Sequence, residues 1–283
     1  MNINANHINY TRNGKHILND ISFEIAPSDR CAILGHNGSG KTSLFEVLTD
    51  TTAADSGTVR FDGKPFSTVK SNVGILWDAL ELFPYFSVNE AIKYIAALHK
   101  QRHSDYSHIY DILGLNKVGD TFVQRLSRGE LQKLNILLST MHHPQLLILD
   151  EPTTALDPTI QQLVWEKIFI AHQRTILFSS HQWDEAKTYA NKVMFISNGR
   201  LLCPPQSPDV LQCELGLTQK IVLAQKTPLQ GINVFGYESD GGWCYLVQGD
   251  HNIVDSVALQ TQGFSVMPIS LMDIYQYLIH IKS

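Results

Sequence analysis

The chain has 283 residues, enough for one large domain or two smaller ones, and its 43% hydrophobic and 17% charged content is that of a folded globular protein. A net charge of −5 leaves no basic footprint for nucleic acid, and no run of 18 apolar residues offers a membrane-spanning helix. The first seven residues lack a secretory signal pattern, and the four cysteines, at 31, 203, 213 and 244, form no C-x-x-C pair for a metal; they read as reduced thiols, with Cys31 a small core residue.

In chain order, residues 3–10 and 16–25 alternate apolar and polar as paired strands do, with Asn13-Gly14 as the turn between them. Cys31–Leu34 is an apolar strand. It runs into Gly35-His36-Asn37-Gly38-Ser39-Gly40-Lys41-Thr42 and then, from Ser43, a helix-like run to Leu48. This fits G-x-x-x-x-G-K-[ST], the phosphate-binding loop. Glycines let successive backbone N–H groups converge on phosphate oxygens, and the helix N-terminus adds positive dipole character at the same place. Lys41 is expected to reach the β- and γ-phosphates, and Thr42 to offer its hydroxyl to Mg²⁺. Residues 58–63 read as a short strand ending in a turn, and 88–101, 105–115 and 129–141 as helices. Val88, Ala91, Ile92, Ile95 and Leu98 recur at helical spacing and form a packing stripe.

Leu146–Leu149 is a continuous apolar run, as in a strand buried on both faces, and it ends on Asp150-Glu151. A carboxylate at that position holds Mg²⁺ in phosphate-loop proteins, and the adjacent Glu151 can accept a proton from an attacking water. Strands at 175–180 and 193–196 alternate with helices at 158–172 and 183–190, which argues for a parallel sheet flanked by helices. A break follows at Pro204–Pro208. Beyond it, strands at 221–224, 232–237, 243–248 and 264–267 and helices at 251–262 and 270–281 make a small α/β unit.

Three further segments complete a pattern: Leu126-Ser-Arg-Gly-Glu130, Thr154-Ala-Leu-Asp157 and Ser179-Ser-His181. With them the chain resembles the ATP-binding subunit of ABC transporters across nearly all of residues 1–202. The resemblance implies an α/β fold: a P-loop NTPase core with a parallel sheet, an antiparallel β subdomain and a helical subdomain (about 79–140) within residues 1–204, plus a small C-terminal α/β domain over 205–283. It implies ATP and Mg²⁺ as cofactors. Nucleotide would be held by residues 35–43, by the Tyr10 ring stacked on adenine, and by Ser127 and Gly129 of an opposite subunit. Lys41, Glu151 and His181 would act in hydrolysis, with Thr42, Asp150 and Asp78 at the metal. The chain departs from the family pattern at Asp78, where a glutamine is usual, and at Arg128 and Glu130 of the signature segment. Met267-Pro-Ile-Ser-Leu-Met-Asp-Ile-Tyr275 is similar to the closing segment of the ABC-2 type export branch. The implied partners are a separate transmembrane permease, docked in a groove formed around residues 79–100, and a second ATPase subunit in a homodimer or heterodimer. No nucleic acid is expected, and the implied location is the cytoplasmic face of the membrane. The alternative is a soluble ABC ATPase working as a mechanical clamp; a single cassette without a long coiled-coil insertion and the export-like tail argue against it. A GTPase lacks its guanine-reading motif here, because Asn116-Lys117 is followed by Val118-Gly119.

Overall fold

The computed structural model describes residues 1–78, 83–226, 234–239, 242–249 and 264–282. The chain divides into two compact units, Met1–Pro205 and Gln206–Ser283. Among the described residues, no helix is long and apolar enough to cross a membrane.

The first unit opens with a hairpin of β1 (Ile3–Arg12) and β2 (Lys15–Ile25). Asn13 and Gly14 have φ of 51° and 76°, the left-handed pair that a two-residue hairpin turn requires. β1 does not alternate evenly. Its register with β2 shifts between Ala5 and Ile8, where His7 also takes a positive φ. The extra residue moves the buried set from Ile3 and Ala5 to Ile8 and Tyr10.

The central sheet contains β3 (Arg30–Leu34), β5 (Val73–Leu76), β6 (Leu146–Asp150), β7 (Thr175–Ser179), β8 (Lys192–Ser197) and β9 (Arg200–Leu201). Its order is β5-β6-β7-β3-β8-β9. All pairs are parallel except β8–β9. Every residue of β6 and β7 is buried, as expected of parallel strands covered on both faces. β4 (Ser56–Phe61) joins the hairpin instead, in a separate antiparallel sheet of order β2-β1-β4. Because β7 lies between β6 and β3, its C-terminal end falls between the end of β6 and the glycine loop after β3. In such sheets the C-terminal strand ends are where ligands bind.

Several helices are shorter than the sequence pattern suggests. α1 (Lys41–Leu48) follows the glycine loop. A one-turn helix, α2 (Phe66–Val69), was not expected. α3 (Val88–Leu98) starts on a Ser87/Glu90 capping box, and its chain turns away through Lys100 at φ 55°. α4 (His103–Ile112) ends before Gly114, whose φ of 65° suits a helix terminus. α5 (Arg128–Thr140) starts on a Ser127/Glu130 capping box. The helix expected over 158–172 is α6 (Pro158–Val164) followed by a π-helical turn at Trp165–Phe169. There the Trp165 ring is fully buried and stacked on Tyr189 at 4.7 Å, and its Nε1 donates to Glu185 at 2.8 Å. α7 (Trp183–Tyr189) completes this unit. Residues 79–82, at the expected start of the helical subdomain, lie outside the described residues.

The second unit holds β10 (Leu217–Leu223), β11 (Val234–Ser239), β12 (Gly242–Gln248) and β13 (Phe264–Met267) in an antiparallel sheet of order β11-β12-β10-β13. Pro208 sits in the expected break but begins a helix, α8 (Pro208–Glu214), with Ser207 accepting from the Val210 amide at 3.3 Å. The helix expected over 251–262 lies outside the described residues. A last helix, Leu271–Lys282, carries Asp273, whose side chain is fully buried. Its carboxylate takes Lys220 Nζ at 2.8 Å, the Ser270 amide at 2.6 Å and hydroxyl at 2.7 Å, and the Tyr237 hydroxyl. Burial pushes its pKa up, but Lys220, Ser270 and Tyr237 outweigh that, and the net direction is down.

Removing this carboxylate leaves a largely buried ammonium uncompensated. Asp273→Ala is expected to lower the stability of this unit by about 3–5 kcal/mol in urea unfolding. A carboxylate with a depressed folded pKa contributes fully above its unfolded value and loses that contribution as pH falls through the folded value. The difference between parent and variant should therefore be constant near neutrality and shrink only below about pH 4.

Candidate functional site

The glycine loop is shaped by close approach. A Cβ at Gly35 would meet the Ile196 carbonyl oxygen at 2.3 Å, so no side chain fits there. Gly40 caps α1 at φ 113°, a conformation that glycine adopts without strain. No side chain caps α1 and no acidic residue lies in its first turn, so its amide donors and dipole are presented to an anion. The Ser39 hydroxyl is buried in this loop with no partner among the described residues.

Lys41 is buried, and its Nζ folds back on the loop, donating to the carbonyls of Gly35 at 2.8 Å and His36 at 3.2 Å. Burial pushes its pKa down, against the opposite pull of Glu151 and Asp150. Thr42 Oγ1 donates to Asp150 Oδ2 at 2.8 Å. The other Asp150 oxygen takes the Ser179 hydroxyl. Asp150 is only 3% exposed. Burial raises its pKa; the Ser179 and Thr42 hydroxyls pull it down, and the charges of Glu151 and Asp78 push it further up.

Glu151 follows with φ 48°, in the left-handed region that is unusual for a non-glycine residue. Its amide donates to Ser179 Oγ at 3.0 Å. Its carboxylate meets His181 Nδ1 at 2.8 Å and accepts the Thr154 hydroxyl at 3.3 Å. A possible proton acceptor and an imidazole thus stand in contact beside the phosphate loop. The cleft above has a volume of about 360 Å³ and is walled by Arg12, Ile17, Asn37, Gly38, Gly40, Lys41, Thr42, Ser43 and Glu151.

Tyr10 is placed differently from the sequence expectation. It is 8% exposed, packs in the hydrophobic core and does not line this cleft. The irregularities of β1 around it turn its ring inward, while Arg12 and Ile17 form the wall. Nothing in the sequence marks Arg12 as a wall residue, because its placement depends on the register shifts of β1. His36 contributes its carbonyl to Lys41.

Ser127, Gly129 and Asp78 are not among the residues lining that cleft within one chain. Ser127 caps α5, its amide and hydroxyl both donating to Glu130 Oε2, at 2.9 and 2.7 Å. These bonds hold the Glu130 carboxyl below its ordinary pKa. A Cβ at Gly129 would stand 3.0 Å from the Ala155 carbonyl oxygen, so the loop after Glu151 passes close over the start of α5. Gln132 Nε2 donates to the Pro152 carbonyl at 2.6 Å, and Asp157 caps α6 through the Thr159 and Ile160 amides, both at 3.1 Å.

The donor set fits both expected ligands. A helix N-terminus, a buried lysine and an orphaned hydroxyl suit a polyphosphate. Thr42 and Asp150 offer hard oxygens of the kind that hold Mg²⁺ together with phosphate, in place of an all-protein cage. Lys41→Ala is expected to weaken ATP binding about 100-fold, the equivalent of the ~2–3 kcal/mol of its charge-assisted bonds. Titration with a fluorescent ATP analogue would measure this.

Residues 18–154 match the family model described as ABC transporter. The Nod factor export ATP-binding protein I of Paraburkholderia xenovorans is 29% identical over 212 residues, covering 71% of this chain and 70% of that protein. Its namesake from Burkholderia lata is 27% identical over 250 residues, covering 80% and 82%. Among solved structures, an ATP-binding subunit of an ABC transporter superposes with a TM-score of 0.70 at 20% identity, covering 76% of this chain and 94% of the other, a likeness of fold. CbiO1 from Clostridium perfringens, part of the ABC transporter complex cbiONQ, superposes at 0.61 with 26% identity, covering 75% and 91%.

Proposed function

From the ABC transporter domain that this chain carries, we propose that it binds ATP with Mg²⁺ and hydrolyses ATP to drive a separate membrane permease, working as one half of a two-subunit ATPase. The observation that carries the reading is the contact of Glu151 with His181 beside the Lys41–Thr42–Asp150 cluster. Lys41 leaves its loop carbonyls for the phosphates, where its charge is better matched. When bound, Mg²⁺ would draw charge from the phosphate oxygens, held by Thr42 and Asp150. Glu151 takes the proton of the attacking water, and His181 orients Glu151 and meets the γ-phosphate. Arg12 and Ile17 supply the wall against the base in place of the Tyr10 ring.

Export is the direction supported by the relatives' printed names and by the closing segment. The signature segment does not line its own cleft, so the reading calls for Ser127 and Gly129 of a second copy or a related subunit. ATP binding then closes the pair and hydrolysis opens it, and the permease follows from the cytoplasmic face. The substrate is set by that permease.

Glu151→Gln keeps the shape and removes the proton acceptor. It is expected to lower kcat by about 10²–10⁴-fold while retaining ATP affinity, and to accumulate an ATP-bound dimer on gel filtration. Hydrolysis at the parent rate would mean that another group is the base. Purification of the tagged chain from its native cells in mild detergent tests the wider reading. A stoichiometric multispanning protein is expected; recovery of soluble partners alone would favour a clamp.

A further inference from the structure

Two positions at which this chain departs from the family pattern touch each other. Asp78, just beyond β5, accepts a hydrogen bond from Arg128 Nη2, the first residue of α5, at 3.4 Å across 50 positions of sequence. Each alone is an awkward substitution. Asp78 adds a negative charge close enough to Asp150 to oppose its ionisation, at a site already holding Asp150 and Glu151 and built to take a triphosphate. Arg128 places a long cation where the signature segment usually has glycine. Together they are neutral.

We propose that Asp78 and Arg128 form a latch: in the nucleotide-free chain Arg128 is the counter-ion and positioning residue that holds Asp78 against the first turn of α5, and entry of MgATP releases it. This deepens the ATPase reading and rests on it. The pair is half-open to water, with side chains 43% and 71% exposed. Exposed pairs of this kind contribute little, because water and salt screen them. It is therefore too weak to serve as a structural brace and weak enough for a bound phosphate or metal to displace. Its two ends lie on the segment leading to the helical subdomain and on the signature helix, so making or breaking it changes the charge presented at both.

The test is a kinetic cycle on the full chain. Arg128→Ala removes in advance the contact that MgATP must break. It is expected to lower KM for MgATP by up to about fivefold, with kcat changed less than twofold; a fivefold shift corresponds to ~1 kcal/mol, the upper end for one such pair. Arg128→Lys keeps the charge and should restore most of the parent KM. In an Asp78→Gln background the same Arg128→Ala change should move KM less than twofold, because no ion pair is left to break. An equal shift in both backgrounds, or none in the parent background, overturns the latch.

A second measurement needs no ATPase activity. In nucleotide-free Arg128→Lys, a zero-length carbodiimide should join the Asp78 carboxyl to the introduced amine as an amide, the reagent taking up the water lost. The product is read by mass spectrometry, with the Lys192–Asp29 pair, at 2.8 Å, as the internal control. MgATP should suppress the 78–128 product and spare the control. A control product without the 78–128 product overturns the latch. A 78–128 product in a chain that neither binds nor hydrolyses ATP upholds the contact and overturns the ATPase reading instead.

Discussion

The site hangs from one buried carboxylate. Asp150 ends a strand that is buried along its whole length, and its two oxygens take one hydroxyl from the phosphate-loop helix and one from the neighbouring strand. An isolated carboxylate in that position would be costly, and the two donors are what make it tolerable. They also fix the relative placement of α1, β6 and β7. Ser179 is used twice, donating to Asp150 and accepting from the Glu151 amide, so the end of β7 positions both acidic residues at the end of β6.

That dependence explains which parts could be read from sequence. The glycine loop, the acidic strand end and the Ser-Ser-His segment are contiguous signals, each with its own local physics, and the structure brings them together at adjacent strand ends. The alternating strands and the apolar runs were legible for the same reason: period and burial are visible one strand at a time. What could not be read depends on irregularity. A bulge in β1 carries no compositional mark, yet it turns Tyr10 inward and gives the wall to Arg12 and Ile17. The helix over 158–172 breaks into a π turn because the Trp165 indole must reach Glu185 and stack on Tyr189, a demand set by residues far along the chain. Pro208 looked like a stop and proved to be a start, because Ser207 supplies the cap one position earlier.

The two units solve the buried-charge problem differently. In the first, Asp150 is satisfied by two neutral hydroxyls, with no cation hydrogen-bonded to it among the described residues. In the second, Asp273 is satisfied by an ammonium as well as by hydroxyls and an amide, an arrangement that fixes the last helix to β10 and β11. The first arrangement is suited to binding and the second to holding shape.

The closeness of Gly129 to the Ala155 carbonyl, with Gln132 bonded to the Pro152 carbonyl one turn on, has a mechanical meaning. There is no slack between the start of α5 and the loop that carries the chain away from Glu151. A displacement of the start of this helix cannot leave the segment after Glu151 where it was, because the two are held at both of these points. They are joined as one stiff piece, and neither has room to move alone.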